Sequence, residues 1–570
     1  MIYGSFGVLI RGHRLVILRK TLIFYPTNSA QSIMQTINPR SPRPLSTSFD
    51  RSADYDIVVM GGAFSGASNA ILLKREFPDL RILIIERTEA FSRKVGESTS
   101  EVAGCFLSRV LRVGMHMNSK HISKHGLRMW FHNEETTTPG RSTEIGPAYQ
   151  GRLPTFQINR MTLDTELLLI AESLGCEVAR PATIKEFDLG GIGKNTITYK
   201  SETGGETRTV TAGWLIDATG KAAKIAKERK TWRSLADQHP TSSMWTRFRN
   251  VTYLDSDEGM RELDGVSSTV LAQRGFSTNH LMGFGWWCWI IPLDSGEVSV
   301  GITWDSRLFT PPANGTMSER LKEHLLKHPV GKVMFENAEA VENDNQYYKS
   351  LAYWSDEVTG DGWAAVGDAC GFMDPLYSQG LDYCAHSIYG ALALLRDHYA
   401  GYCVKDTIVH RNQEFKRSYF NWFNALYKDK YWYLGDAELM HAAFLLDIGT
   451  YFIGPVRLVY TDQDSEFARM PYYGPTGRFF ARFMAFYNRR FVTLAKKKIT
   501  AGTYGAMNSD QAFLITKSFN PDFSSFKFVI KGIKIWLKLE ARLAFTPAAQ
   551  DAMQPSVATP LPQAGQYRHA

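Results

Sequence analysis

From Tyr55 onward the apolar positions come first as short unbroken runs and only later as helical stripes. "IVVM" (Ile57–Met60) and "RILIIE" (Arg81–Glu86) are short, apolar and β-branched, the pattern of parallel strands buried on both faces. Between them Gly61–Gly66 reads as a turn and Ala67–Arg75 as a helix that Pro78 ends. The folded part of the chain therefore opens with a βαβ unit. A helix-rich stretch follows, then a strand at "GLRMWF" (Gly126–Phe131). "LDTELLLIAESLGCEV" reads as a helix running into a strand, with Gly175 as its C-cap. Residues 183–216 read as strands separated by turns at "LGGIGKN" and "ETGGE". Strands continue over 242–304 and include "GFGWWCWIIPL", which puts three tryptophans into four positions. From about 381 onward the pattern is mostly helical.

Composition narrows the picture. The chain has 570 residues, 44% hydrophobic and 21% charged, enough for a large buried core. Its net charge is +8, but Arg11, Arg14, Arg19, Lys20, Arg40 and Arg43 precede the first acidic residue, Asp50. Removing those six leaves +2, too little for a nucleic-acid footprint on net charge. The acid-free N-terminal 49 residues resemble an organelle transit segment, with a start codon read too far upstream of Met34 as the equal alternative; the location expected is cytoplasmic, and organelle targeting is the alternative. Six cysteines without a CxxC fit a reducing compartment. The histidines between His116 and His132 form no HExxH, so they read as surface or packing residues and no metal is expected. Lys527, Lys531, Lys534 and Lys538 recur at helical spacing in "FKFVIKGIKIWLKLEAR". The plain reading is a terminal helix with a solvated lysine stripe; the sharper one is weak contact with a membrane surface.

The chemistry begins at the first turn. Gly61, Gly62 and Gly66 lie between a strand and a helix, and Glu86 ends the next strand. Such a turn lets backbone approach a pyrophosphate at a helix N-terminus, while the acid accepts ribose hydroxyls. Ala63 stands where GxGxxG has its middle glycine. A second "GGIG", at 190–193, sits between two strands and is discounted as a nucleotide site. "WLIDATGK" (Trp214–Lys221) and "DGWAAVGDACGFMDP" (Asp361–Pro375) are two further strands that each run into a glycine turn. FAD-binding folds of the para-hydroxybenzoate hydroxylase type place an aspartate such as Asp368, after Gly367, on the ribityl chain of the flavin.

Two segments make the resemblance more specific. "WCWIIP" (Trp287–Pro292) is similar to the WxWxIP signature of flavin-dependent halogenases, and "FMDPLYSQG" carries Phe372, Pro375, Ser378 and Gly380 at the family's FxxPxxSxG spacing. "KVGEST" (Lys94–Thr99) resembles the family's segment after the second strand. The resemblance implies an α/β fold: a Rossmann-like FAD-binding domain, an inserted antiparallel β-sheet substrate domain and a mostly helical C-terminal region. In residue terms that gives a basic extension over 1–53 and an FAD-binding domain over 54–400. Within the latter the substrate sheet occupies about 183–210 and 242–355. A helical region over 401–545 and a disordered tail over 546–570 complete the chain.

The resemblance also implies roles. Reduced FAD, supplied by diffusion from a separate flavin reductase, would react with oxygen and with chloride or bromide to give hypohalous acid. Ser378, Gln379 and Gly380 would form the halide side of the flavin, since amides at a turn make an anion nest. Trp287, Trp289, Pro292, Phe372, Pro375 and Tyr377 would wall off the ring. "ISKHGLRMWF" is similar to the family segment carrying the lysine that passes the halogen to substrate, which assigns that role to Lys124. Burial would suit it by lowering its pKa. Tryptophan halogenases carry a glutamate just before the serine of the SxG turn, where this chain has Tyr377. The substrate implied is accordingly a phenol- or pyrrole-like small molecule, free or tethered to a carrier, more than tryptophan. The alternatives on the same fold are an FAD monooxygenase that hydroxylates or epoxidises, or a flavin oxidoreductase resembling the geranylgeranyl reductases.

Overall fold

The computed structural model describes residues 52–263, 274–461 and 464–548. The expected N-terminal extension and C-terminal tail fall almost wholly outside them. The βαβ unit forms as strand Tyr55–Met60, helix Phe64–Glu76 and strand Ile82–Ile85. Both strands are fully apolar where they pair, because the sheet is covered on both sides. Sheet order runs through Thr359–Gly360, Trp363–Ala365, Thr207–Asp217, Tyr55–Met60, Ile82–Ile85 and Glu177–Ala179. All neighbours are parallel except the first pair. The carboxyl ends of Met60, Ile85, Asp217 and Ala365 therefore share one edge, where doubly wound sheets bind ligands.

The stretch expected to begin the substrate sheet, 183–210, extends this first sheet instead. Strands Ala182–Asp188 and Asn195–Ser201 form a hairpin, and the second pairs with the N-terminal half of Thr207–Asp217. The 11-residue strand is long enough to serve both: its first half is antiparallel to the hairpin and its second half joins the parallel core. "GGIG" lies in the hairpin turn.

The second sheet is mostly antiparallel. Its centre is Thr241–Arg249, Val298–Asp305, Trp286–Pro292 and Thr278–Gly283, joined by Leu127–Phe131, Thr143–Pro147 and Ala512–Ile515. Thr278–Gly283 meets Leu127–Phe131 in parallel, as Ala512–Ile515 meets Thr143–Pro147. Alternation along Trp286–Pro292 splits its side chains between two cores. Trp287, Trp289 and Ile291 join the main core with the helical region, whereas Trp286, Cys288 and Ile290 face helices Met317–Leu326 and Pro329–Phe335. Beyond 380 the helices Gly380–Tyr399, Lys405–Leu426, Ala437–Tyr451, Pro475–Thr500 and Phe526–Arg542 close the other side. Ala437–Tyr451 is buried nearly all round and is the axis of that bundle.

Candidate functional site

At the first turn, two glycines are required by geometry. Gly61 has φ +107°, and a Cβ there would stand 2.6 Å from the Ala218 carbonyl oxygen, at the end of a neighbouring strand. A Cβ on Gly66 would run into the carbonyl of Gly61. Ala63 has φ −75° and ψ −166°, ordinary extended backbone, so alanine adds no strain where the middle glycine was expected. The amide of Gly62 donates to Glu86 Oε2 at 2.8 Å, and the Thr88 amide and hydroxyl donate to Oε1 at 2.9 and 2.8 Å. Burial would raise the pKa of Glu86, but these donors outweigh it and hold the carboxyl below the usual range.

The third motif meets the first. Gly367 has φ +63° and lies against the Ser65 side chain, leaving no room for a Cβ. Its amide donates to Ser387 Oγ at 2.8 Å. Beside it Asp368 is pushed upward in pKa by burial, with Arg160 opposing the shift. Its carboxylate's hydrogen-bond partner is the Cys384 thiol at 3.9 Å, a weak donor. A shielded carboxylate so poorly matched suits hydroxyl donors from a ligand. The glycine cradle, Glu86 and Asp368 together fit the flavin dinucleotide that the motifs imply.

Beyond this edge lies a cavity of about 60 Å³. Its apolar wall is Phe444, Ile448, Phe452, Ile515 and Phe519, from the helical region and the last strand. Its polar wall is Lys124, Glu101, Gln379 and the tyrosines Tyr149, Tyr377 and Tyr451. Lys124 is 4% exposed; its Nζ donates to Ser98 Oγ at 2.8 Å and to the Thr99 carbonyl at 2.7 Å. Reciprocal bonds with Thr155 fix its backbone: the Lys124 amide donates to the Thr155 carbonyl, and Thr155 Oγ1 donates back to the Lys124 carbonyl. Burial lowers its pKa to about 8, and the charges of Glu101 and Asp382 offset part of the shift. Two acceptors match the two N–H groups of a neutral amine and leave its lone pair free.

The turn after Pro375 supplies the opposite side. Tyr377 (φ +69°) and Ser378 (φ +61°) are consecutive left-handed residues, neither of them glycine. What holds them is a set of buried bonds. Tyr377 Oη donates to Asp447 Oδ2 at 2.9 Å, and Asp447 also takes Lys430 Nζ and Tyr487 Oη, both at 2.6 Å. Gln379 Oε1 accepts from Trp422 Nε1 at 2.8 Å and Tyr427 Oη at 3.1 Å.

Of the residues expected from sequence, the cavity brings together Lys124, Tyr377 and Gln379. Trp287, Trp289, Phe372, Pro375, Ser378 and Gly380 do not line it. Trp287 stands behind, its ring 5.9 Å from that of Trp289 and its Nε1 donating to Tyr431 Oη at 3.0 Å. Tyr431 in turn donates to Asp374 Oδ2 at 2.9 Å, which His239 Nε2 also meets at 2.8 Å. The tryptophan pair thereby connects to the loop that carries the 377–380 turn. Pro292 faces the other way and lines a separate small hollow with Asn279 and Tyr253. The Phe372 carbonyl accepts from Tyr419 Oη at 2.8 Å. Gly380 begins helix Gly380–Tyr399 beside open space.

Sequence reasoning missed the acids. Glu101 lines the cavity, and burial raises its pKa against the pull of Lys124. Asp382 accepts from Ser100 Oγ, from the Ala103 amide at 2.9 Å and from Tyr451 Oη at 2.8 Å. Burial pushes it up to about 7. The signal available was Glu101 directly after the "GESTS" run, the second of two acids (with Glu97) in an otherwise small, polar and apolar stretch.

A family model described as tryptophan halogenase matches residues 120–420. The flavin-dependent halogenase chlA of Dictyostelium discoideum is 25% identical over 433 residues, 70% of this chain and 69% of that protein. Monodechloroaminopyrrolnitrin halogenase PrnC of Pseudomonas fluorescens is 26% identical over 376 residues, which are 60% of this chain and 62% of that one, under two thirds of its length. Among solved structures, halogenase PltM in complex with phloroglucinol and FAD matches with a TM-score of 0.65 over 87% of this chain and 100% of that one. Its identity is 16%, so that likeness is one of fold.

Proposed function

The chain belongs to the tryptophan halogenase family, whose model covers more than half of it, and from that premise we propose that it is an FAD-dependent halogenase of phenol- or pyrrole-like aromatic substrates. The observation that carries the reading is Lys124: a buried amine, held by two acceptors, in a cavity whose other walls are the Tyr377–Gln379 turn and a cluster of aromatic and aliphatic side chains. Gly61, Gly62, Ala63, Gly66, Glu86, Gly367 and Asp368 would hold the dinucleotide. Bound FAD, reduced and met by oxygen and halide, supplies an electrophilic halogen.

The chain's own residues do the rest. Lys124 presents N–H or lone pair to the electrophile at one end of the cavity. The apolar wall orients a flat substrate and excludes water. Glu101 offers a carboxylate on the same cavity, from a different element than the one that carries the glutamate in tryptophan halogenases. It would accept the proton that the ring or its hydroxyl gives up. A self-activating phenol or pyrrole asks less of such a base than indole does. The phloroglucinol bound to the PltM structure is a phenol of this kind.

The test supplies the full chain with FAD, NADH, a flavin reductase and bromide, and offers mixed phenols, pyrroles and indoles. Mass spectrometry is expected to show a bromine doublet on phenols or pyrroles before indoles. Lys124→Ala should remove it, a loss on the order of 10³-fold if the amine transfers the halogen. Glu101→Gln should lower the rate by about 10² with the doublet retained. A product heavier by one oxygen, without bromine, would make the protein a monooxygenase instead.

A further inference from the structure

Two helices at the surface carry more positive charge than the whole chain. Pro475–Thr500 and Phe526–Arg542 hold twelve basic side chains and one acidic one, against a net excess of eight for all 570 residues. They run parallel as neighbours: Arg490 pairs with Glu540 at 2.7 Å, Phe486 meets the Trp536 ring at 5.8 Å, and Lys497 donates to the Leu543 carbonyl at 2.8 Å. That one acid is thereby consumed within the pair. Arg478, Arg482, Arg489, Lys531, Lys534 and Lys538 are exposed and form no ion pair among the described residues.

The same outward faces carry large apolar side chains. Phe479, Phe486, Phe526, Ile530 and Leu537 stand between 44% and 67% exposed. Phe479 and Phe486 are seven residues apart, as are Ile530 and Leu537, so each pair shares one face of its helix. Where Phe486 meets Trp536 the two faces adjoin. A solvated lysine stripe, the plain sequence reading of this helix, does not account for exposed phenylalanine, isoleucine and leucine set between the cations.

We propose that the outer faces of these two helices are a docking surface for an anionic lipid bilayer. Basic side chains would meet headgroups while the apolar ones enter the acyl boundary. An acidic protein would match the charge, but it would leave five large apolar side chains to find partners of their own; a lipid surface serves both. The contact is peripheral. In the one run of helix among the described residues apolar enough to cross a membrane, Ala437–Thr461, the most apolar 18-residue stretch is 78% buried inside the protein. The surface also lies close to the cavity: Phe528, on the inner face of the second helix, packs 4.0 Å from Phe519, which stacks 5.2 Å from Phe452, and the latter two line the cavity wall. One layer of packed phenylalanines thus separates the helix from the cavity.

The experiment co-sediments the full chain with vesicles of phosphatidylcholine alone or with about 30% phosphatidylserine. Partitioning is expected to be at least tenfold stronger onto the anionic vesicles and to weaken as salt rises. The double variant Ile530→Glu/Leu537→Glu should lose that tenfold, and Lys534→Glu/Lys538→Glu should lose most of it, with circular dichroism and melting temperature matching the parent. Absence of lipid binding overturns the proposal. So does binding that survives both variants, which would assign the lipid to another part of the chain. A concentration-dependent dimer in sedimentation equilibrium that either variant dissolves would give the face to a second copy and overturn it too. None of these outcomes depends on whether the protein halogenates.

Discussion

On the dinucleotide side of the site the ligand would be met by backbone amides, glycine hydrogens and two carboxylates, set by four strand ends that the parallel sheet aligns. On the cavity side it would be met by ionisable and aromatic side chains whose partners come from far along the chain, such as Asp382 with Ser100 across 282 residues. The first side tolerates almost no added atom. On the second, Lys124 and Asp382 are held by named acceptors and donors against the cost of burying their charge, so a change of charge there should move stability and function separately. Substitutions should therefore fail in different ways on the two sides, and that difference is measurable.

The largest effect is expected on the backbone side. Gly66→Ala places a methyl group into the Gly61 carbonyl, which the strand and helix on either side prevent from moving. FAD affinity should fall by about 100-fold, on the order of 3 kcal/mol, by titration of flavin fluorescence. A change under threefold would mean that the turn is softer than its geometry indicates, and the contrast between the two sides would collapse.

On the cavity side, removing the buried charge should stabilise the protein while it abolishes function. Lys124→Met keeps the length of the side chain and deletes an ammonium that burial disfavours. Denaturant unfolding at pH 7 should show a gain of about 2 kcal/mol, with FAD affinity unchanged. The sign over pH follows from linkage. The lysine's pKa falls from 10.5 unfolded to about 8 folded, so between those values the unfolded chain binds more protons. The stability that Lys124 costs the parent is therefore fully present below pH 8 and recovered as pH rises toward 10.5, and the variant's advantage should shrink across that window. An advantage that does not change with pH would mean the lysine is not titrating there.

What the sequence makes legible is backbone geometry, where one residue type answers to one conformational need. Gly61, Gly66 and Gly367 announce positive φ or close approach, and the short apolar runs beside them fix which strand ends converge. The motif singles out Lys124 but not its environment: nothing in "ISKHG" says that it is buried with Ser98 Oγ and the Thr99 carbonyl accepting its hydrogen bonds. The 183–210 stretch was misassigned to the substrate sheet because alternation identifies strands and not the sheet they join. Glu101, Asp382 and Asp447 were invisible for the same reason. An acid in a helix reads as solvated until folding surrounds it with partners, and those partners are set by tertiary packing.

The smallest effect tests how the two sides are joined. Tyr377 and Ser378 hold left-handed backbone without glycine, at a cost that surrounding bonds must meet. Tyr377→Phe removes one of those bonds, the hydroxyl's contact with Asp447, and leaves Lys430 and Tyr487 on that carboxylate. Loss of one hydrogen bond to a carboxylate that keeps two other donors should cost about 1.5 kcal/mol in denaturant unfolding. FAD affinity, fixed by backbone on the other side of the sheet edge, should move by less than a factor of two. The Ser378–Gly380 amides, which the family resemblance makes the halide side of the flavin, depend on this turn for their direction, so the bromide KM should rise several-fold. If stability falls but the bromide KM holds, Gln379 with its Trp422 and Tyr427 donors is enough to fix the turn. If the bromide KM and FAD affinity both move, the turn and the dinucleotide cradle form one unit, and the division between backbone-built and side-chain-built halves runs elsewhere.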